Sequence, residues 1–298
     1  MKRLRFFQLD VFTDKPLTGN PLAVVLDADD LHQEQMQAIA REMNLSETTF
    51  VQKPRDRRAL CRVRIFTTVQ ELPLAGHPVI GTWWLLAELG VVPRMEGVTH
   101  VMQETGAGVL PVEIIEREGK VQRVVMEQTP AKFFPGRINV ERLASALGIS
   151  KSAIGGNGLV PQFVSTGLKQ LMVPVKTRAA LRKVRMFPHK LLALLWPKGI
   201  VAYVFTLDIR GWADARARSF APSELIEDPA TGSAAGALGS YLVEHGVFAP
   251  ERTIHIEQGM EMGRPSRIEV VILRNQKGQL IPRVGGSAVR VLEGTITV

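Results

Sequence analysis

Two stretches of the sequence place acidic, hydroxyl or imidazole side chains directly before a long apolar segment. The one in the last third of the chain is Glu227-Asp228-Pro229-Ala230-Thr231-Gly232-Ser233, and residues 234–245 after it are largely apolar. A segment that is apolar on nearly all sides predicts a buried helix, and the first N–H groups of a helix favour anions. The start of this helix therefore either binds an anionic ligand, or is only capped by Thr231 or Ser233 with Asp228 beside the dipole, and the residues alone leave both interpretations open.

The second stretch, Glu71-Leu72-Pro73-Leu74-Ala75-Gly76-His77-Pro78, has the same organisation, because an apolar segment, 79–89, follows it and stops at a glycine. The two apolar segments also correspond loosely in their glycine spacing, which indicates an internal duplication. His77 stands at the predicted helix start, where it is either catalytic or a hydrogen-bonded capping residue.

Short strand-like segments dominate the rest of the chain, and few segments have helical periodicity. Besides the two apolar helices, we predict helices at 31–43, capped by Asp30, and at 140–147, and helical character in the basic segment 176–190. Predicted strands lie at 5–12, 22–26, 59–67, 121–128, 162–165, 171–175, 200–207, 253–257, 267–273 and 290–298. Strand and helix do not alternate regularly, as they do in doubly wound folds. The pattern predicts an α+β fold in which each half rolls a mixed sheet around one buried helix, with the site in the cleft between the halves.

Length and charge limit the number of domains and the classes of partner that the sequence allows. A chain of 298 residues that is 45% hydrophobic predicts two domains with full cores. The charged run 116–120 is the best candidate for a hairpin or a domain boundary, and as a boundary it gives lobes of 1–117 and 118–287. The net charge is +8, but the aromatic content is only 6% and no run of five or six basic residues occurs. Action on small anions is therefore favoured over nucleic-acid binding, and we expect no nucleic-acid partner.

The single cysteine, Cys61, cannot form an internal disulfide and lies in a predicted strand without the neighbours that activate a thiol. The first residues read as a strand rather than a secretion signal, and no apolar run reaches the ~18 residues of a membrane span. We therefore expect a cytoplasmic protein with no membrane partner. The histidines lack metal-ligand spacing and no phosphate-binding or dinucleotide motif occurs, so we expect neither a metal nor a cofactor.

Four motifs follow one another along the chain: Gly19-Asn20-Pro21, Asn44-Leu45-Ser46-Glu47-Thr48, and the stretches 71–78 and 227–234. Together they resemble the PhzF-like family of phenazine biosynthesis, which shares the diaminopimelate epimerase fold. The resemblance covers essentially the whole chain, including Gly285-Gly286-Ser287-Ala288-Val289 near its end. It implies two similar domains, each a barrel-like sheet wrapped around a helix, with a final strand at about 288–298 returning to the first domain. It also implies a homodimer and isomerase chemistry without a cofactor.

The resemblance also implies roles for individual residues. In the phenazine enzymes the glutamate of the Asn-Leu-Ser-Glu motif moves a proton between carbons of dihydro-hydroxyanthranilate, and this glutamate matches Glu47. A carboxylate in a closed, apolar cleft has a raised proton affinity, so it can accept a proton from one carbon and return it to another. The supporting catalytic residues of the family match His77, Asp228 and Ser233. The motifs place the substrate-binding positions at Asn20, Ser46, Gly76, Thr231 and Gly232.

We therefore expect a cofactor-independent isomerase acting on a small carboxylate-bearing substrate. Without the resemblance, Glu47 would be predicted as an exposed loop carboxylate. Distant relatives that epimerise amino acids use two cysteines, which this chain lacks, so two-thiol racemisation is excluded. The alternative is a small-molecule-binding or protein-interaction member of the same fold without turnover. Leu74 and the pair Trp83-Trp84 leave the identity of the substrate open.

Overall fold

The computed structural model describes residues 2–93, 95–136, 138–195 and 199–298. The chain divides into two compact units. Met1–Glu127 together with Gly285–Val298 forms the N-terminal unit, and Gln128–Val284 forms the C-terminal unit.

The N-terminal unit is built mainly from strands. Its helices are α1 (Gln33–Met43) and α2 (Gly76–Glu88), and its strands are β1 (Arg3–Val11), β2 (Asn20–Val25), β3 (Thr48–Gln52), β4 (Cys61–Phe66), β5 (Glu71–Leu72), β6 (Gly97–Thr105), β7 (Gly108–Arg117), β8 (Lys120–Glu127) and the last strand of the chain, β18 (Ala288–Thr297). Strand β1 pairs antiparallel with β2 and β18, β2 runs parallel to β3, and β4 runs parallel to β6. The remaining pairs, β3–β4, β4–β5, β6–β7 and β7–β8, are antiparallel.

Two of these pairings bear on the predicted domain limits. The pairing of β18 with β1 brings the end of the chain back to the first strand, as the resemblance implies. Arg117 pairs with Lys120 in the β7–β8 hairpin, so the expected boundary after residue 117 would cut between two paired strands. The division of the chain lies after Glu127 instead. The charged run 116–120 is therefore a hairpin turn, the other reading of such a run.

Helix α2 is the buried helix of the N-terminal unit. All of its residues from His77 to Ala87 are buried, and it packs against β1, β2 and β8. Gly81 allows this close packing, because a Cβ there would lie 2.6 Å from side-chain atoms of both Leu22 and Val11. Each large apolar side chain buried in this way contributes roughly 1.5–3 kcal/mol to stability, which is why the apolar pattern predicts the position of the helix.

The C-terminal unit repeats this plan. Its helices are α3 (Val140–Leu147), α4 (Arg178–Lys183), α5 (Pro188–Leu192) and α6 (Gly232–Glu244), and its strands are β9 (Lys132–Phe134), β10 (Gln162–Ser165), β11 (Lys169–Pro174), β12 (Val201–Thr206), β13 (Ala215–Ala221), β14 (Ile226–Asp228), β15 (Thr253–Gln258), β16 (Ser266–Arg274) and β17 (Leu280–Gly286). The pairs β11–β12 and β13–β15 are parallel. The pairs β9–β10, β10–β11, β12–β13, β13–β14 and β15–β16 are antiparallel.

Helix α6 is the buried helix of this unit and packs against β10, β11 and β16. A glycine again permits the contact, since a Cβ at Gly239 would lie 2.7 Å from Cγ1 of Val270. Each unit thus has a mixed sheet around one buried helix, which confirms the predicted α+β architecture. No helix among the described residues has both the length and the apolar character to cross a membrane.

Arg218 ties strand β13 to its surroundings. Its guanidinium donates to both carboxylate oxygens of Glu227 at 2.8 Å, and to the carbonyls of Leu181 and Val184 at 3.1 and 2.8 Å. The residue is only 8% exposed, so this charge is stabilised by paired groups rather than by water.

The predicted cap of α1 is wrong. The helix begins after His32, whose backbone N–H donates to Oε1 of Gln35 at 2.9 Å. Asp30 pairs instead with Nζ of Lys2 at 2.7 Å. Asp30 thus forms an ion pair with a residue distant in sequence instead of capping α1.

Two further segments named in the sequence have defined local structures. Gly285 and Gly286 are the last residues of β17, and a Cβ at Gly285 would lie 2.9 Å from Cγ2 of Val125, so this glycine allows close packing. The basic segment 176–190 contains two short helices, α4 and α5, and Pro188 begins the second of them because proline suits a first helical position.

Candidate active site

The N-terminal unit brings Glu47 and His77 together. Glu47 directly precedes β3, and His77 lies in the first turn of α2. Oε2 of Glu47 lies 3.4 Å from Nε2 of His77, and the two side chains are 17% and 6% exposed. Glu47 is therefore a largely buried carboxylate, not the exposed loop residue that its position alone would predict.

Asn20, the first residue of β2, sets the orientation of the imidazole. The Ser46 hydroxyl donates to Oδ1 of Asn20 at 3.3 Å, which directs the amide nitrogen of Asn20 toward Nδ1 of His77, also at 3.3 Å. Nδ1 is therefore the acceptor, and the ring proton lies on Nε2, facing Glu47. Asn20 is fully buried, so competing water does not disturb this arrangement.

The charge state of His77 follows from its burial. Desolvation lowers the pKa of His77 to about 3, so the ring is neutral at neutral pH. The nearby carboxylate acts in the opposite direction, since it favours the imidazolium, but the desolvation is the larger effect. Glu47 thus faces a neutral N–H group at 3.4 Å rather than a cation.

The start of α2 adds backbone donors to this group. Gly76 and His77 are the first two residues of the helix, and the first N–H groups of any α-helix lack an acceptor inside the helix. No acidic residue lies in the first turn of α2. The positive end of the helix dipole can therefore attract a carboxylate or a developing negative charge.

The C-terminal unit places Asp228 and Thr231 beside the start of α6. Thr231 occupies the N-cap position, but its hydroxyl donates to Oδ2 of Asp228 rather than capping the helix. The capping interpretation of these residues is therefore incomplete, because the hydroxyl orients a carboxylate. A buried amide, Gln258, in turn contacts both residues: its Nε2 donates to the Asp228 carbonyl at 2.7 Å and to Oγ1 of Thr231 at 3.0 Å.

Two other amides hold the first turn of α6. Gln170 Nε2 donates to the Ser233 hydroxyl oxygen at 3.2 Å, and Gln128 Nε2 donates to the Gly232 carbonyl at 3.0 Å. With a donor already at its oxygen, the Ser233 hydroxyl directs its own proton toward another acceptor. Ser233 is therefore suited to donate to a ligand.

The predicted site residues fall into two groups, one in each unit. The N-terminal unit holds Asn20, Ser46, Glu47, Gly76 and His77 as neighbours, and the C-terminal unit holds Asp228, Thr231, Gly232 and Ser233 around the start of α6. Sequence reasoning missed Gln258 and the tyrosine that contacts it, Tyr203. A signal for Gln258 exists: it follows Ile254 and Ile256 at two-residue spacing on β15, so a polar side chain stands at a core-facing position.

Cys61 takes no part in either group. The side chain is buried on β4, and desolvation raises the pKa of the thiol to about 12. It therefore stays protonated at neutral pH and does not act as a nucleophile, in line with the sequence-based interpretation.

Known proteins of one family resemble this chain over nearly its whole length. The family model for phenazine biosynthesis-like proteins (PhzC-PhzF) matches residues 9–294. The trans-2,3-dihydro-3-hydroxyanthranilate isomerase of Pseudomonas chlororaphis is 41% identical over 264 residues, covering 87% of this chain and 86% of that protein. The uncharacterized isomerase YfhB of Bacillus subtilis strain 168 is 35% identical over 277 residues, covering 91% of each chain.

A solved structure supports the same assignment. The crystal structure of a PhzF family phenazine biosynthesis protein from Bacillus anthracis has a TM-score of 0.90 and 30% identity, and the match covers 100% of both chains. The family resemblance read from the four sequence motifs is therefore confirmed. This chain belongs to the phenazine biosynthesis-like PhzF family and is an isomerase.

Proposed function

We propose that this isomerase moves a proton between two carbons of a small carboxylate-bearing substrate, with Glu47 as the general acid/base and no cofactor. The observation that carries the proposal is the largely buried Glu47 carboxylate, 3.4 Å from Nε2 of a neutral His77. The 41% identical relative is named for an isomerisation of trans-2,3-dihydro-3-hydroxyanthranilate, so a substrate of this type is proposed for this chain.

The proton transfer requires one group that both accepts and donates. The Glu47 carboxylate accepts a proton from one carbon as that C–H bond breaks, and the bond's electron pair enters the conjugated π system of the substrate. Protonated Glu47 then donates a proton to a second carbon, where the displaced electron pair forms the new C–H bond. Atoms and electrons balance, so the step requires no redox partner.

The surrounding groups have supporting roles in this proposal. His77 turns its Nε2–H toward the Glu47 carboxylate, 3.4 Å away, because Asn20 fixes the tautomer of the ring. The backbone N–H groups at Gly76 and His77 stabilise a substrate carboxylate or the charge that develops during proton transfer. Asp228 and Ser233 bind polar groups of the substrate, as their match to the family motif implies.

Replacement of Glu47 tests the proposal. Glu47→Gln keeps the size of the side chain but removes its basicity, so conversion of trans-2,3-dihydro-3-hydroxyanthranilate is expected to fall by about 100-fold or more. Glu42→Gln is the matched control, since Glu42 is an exposed carboxylate at the end of α1, and it should convert the substrate at the wild-type rate. Undiminished turnover by Glu47→Gln would contradict the assignment.

The same measurement separates catalysis from simple binding. A protein that only binds its ligand would take up the substrate in a calorimetric titration, yet leave its absorbance spectrum unchanged. Wild-type protein that binds without conversion would therefore replace the proposed isomerisation with the binding alternative.

A further inference from the structure

In the C-terminal unit, a continuous chain of hydrogen bonds leads from a buried phenol to the Asp228 carboxylate. The Tyr203 hydroxyl donates to Oε1 of Gln258 at 2.9 Å, and the same oxygen accepts the backbone N–H of Thr231 at 3.1 Å. The Gln258 amide nitrogen donates to Oγ1 of Thr231 at 3.0 Å, and the Thr231 hydroxyl donates to Oδ2 of Asp228. Tyr203 and Gln258 are both fully buried.

The chemistry of each group fixes the direction of these bonds. Burial, and secondarily the charge of Asp228, raises the pKa of Tyr203 well above its ordinary value, so the phenol keeps its proton. Two donors, the phenol and the Thr231 N–H, meet Oε1 of Gln258, which orients the amide with its nitrogen toward Oγ1 of Thr231. The Thr231 oxygen already accepts this amide proton, so its own hydroxyl proton is directed to Asp228.

We propose that Tyr203 and Gln258 are positioning residues, which hold the Thr231 hydroxyl as a donor and thereby keep the Asp228 carboxylate in the orientation that binds substrate. The inference rests on the proposed function, in which Asp228 binds a polar group of the substrate. Asn20 has the corresponding role in the N-terminal unit. Its amide oxygen accepts the Ser46 hydroxyl proton, and its amide nitrogen orients the His77 ring so that Nε2 faces Glu47. In both units a buried amide therefore sets the proton arrangement around one acidic side chain.

A pair of matched variants separates positioning from a merely structural role. Tyr203→Phe and Tyr241→Phe each remove one buried phenol, but within the part of the chain that the structure describes the Tyr241 hydroxyl bonds only the backbone of Val160. Both variants should lose similar stability. Only Tyr203→Phe should lower kcat/KM, by about fivefold, which corresponds to one neutral hydrogen bond. Equal kcat/KM in the two variants would overturn the inference.

Variants of Thr231, which is only partly buried, extend the test without emptying the core. Thr231→Val keeps the shape but loses the hydroxyl that donates to a charged group, so kcat/KM should fall by about tenfold or more. Thr231→Ser restores the donor and should return the activity to within about threefold of wild type. Wild-type activity in Thr231→Val would refute the proposal even if the tyrosine variants failed to fold.

The wild-type protein distinguishes failure of this inference from failure of the proposed function. The probe is trans-2,3-dihydro-3-hydroxyanthranilate. If its conversion depends on Glu47 but not on Thr231 or Tyr203, the proposed isomerisation is supported and only the positioning role is refuted. Absence of conversion by wild-type protein would remove the proposed function, and the positioning role with it.

Discussion

His77 should make the folded protein less stable in acid. Its ring is buried and neutral in the folded state, with a pKa of about 3, whereas the exposed ring of the unfolded chain has the ordinary value of 6.5. As the pH falls below this ordinary value, the unfolded chain binds a proton that the folded protein does not. The stability is therefore full above the unfolded pKa and is lost as the pH falls toward the folded pKa.

The size of the effect follows from the same two values. Each pKa unit corresponds to about 1.4 kcal/mol, so at about two units below the unfolded pKa the free energy of unfolding should have dropped by about 3 kcal/mol on account of this one residue. Total stabilities of single domains are typically about 5–15 kcal/mol, so the loss is a large fraction of the whole. An attraction between the imidazolium and the Glu47 carboxylate would reduce this loss of stability, because it favours the charged ring.

Urea unfolding of the wild type and of His77→Asn, from about pH 7.5 down to about pH 4.5, measures the effect as a difference between two curves. The free energy of unfolding should fall more steeply with decreasing pH in the wild type, since His77→Asn has no proton to bind at this position. His100→Asn, in which an exposed histidine is replaced, is the control for the substitution itself. Parallel curves for the wild type and His77→Asn would refute the reasoning, because they would mean that Glu47 compensates the cost of burial.

Three further predictions concern packing, reactivity and a buried ion pair. Gly81→Ala should destabilise the protein in thermal unfolding by about 1–3 kcal/mol, because the added methyl group would meet the side chains of two other residues. Gly294→Ala is the control and should not destabilise it, since a Cβ at Gly294 has open space around it. Equal unfolding midpoints for the two variants would contradict the packing argument. Cys61 should not react with a thiol reagent at mildly alkaline pH until denaturant is added, since its pKa is raised to about 12; rapid labelling of native protein would count against its burial. Arg218→Met should cost about 3 kcal/mol, because it leaves the Glu227 carboxylate without its paired guanidinium and removes the donor to the Val184 carbonyl. Arg290→Met breaks an exposed pair and should cost less than about 1 kcal/mol, so similar costs in urea unfolding would refute the distinction.

The sequence predicts the two buried helices well, because burial on all sides of a helix leaves a direct trace in its apolar residues. Segments 79–89 and 234–245 were predicted as helices, and α2 and α6 begin two or three residues earlier, at Gly76 and Gly232. The small difference arises because the polar residues at their starts are already helical. The shared packing of Gly81 and Gly239 against strands gives a physical basis for the similar glycine spacing of the two segments.

Other features depend on contacts between distant parts of the chain and leave little local trace. Tyr203 and Gln258 are 55 residues apart, so no spacing rule relates them. Asp30 has the residue type of a helix cap, yet Lys2 takes its carboxylate. The charge state of His77 depends on how completely the surrounding sheet removes water from the ring, which no motif specifies.

Several expectations stay predictions. These are the homodimer, the cytoplasmic location, the absence of a metal, a cofactor and a nucleic-acid partner, and the position of the site in the cleft. The roles of the individual site residues are proposals that rest on the geometry within each unit and on the family motifs.

Isotope transfer tests the central claim, that Glu47 carries the proton, most directly. Wild-type protein, Glu42→Gln and Glu47→Gln would each be incubated with trans-2,3-dihydro-3-hydroxyanthranilate in D₂O, and deuterium at the carbon that gains a proton would be followed by NMR. The account predicts product from the wild type and from Glu42→Gln, with deuterium entering to the extent that protonated Glu47 exchanges with solvent before it donates, and neither product nor deuterium exchange from Glu47→Gln. Product or deuterium appearing at the wild-type rate with Glu47→Gln would contradict it.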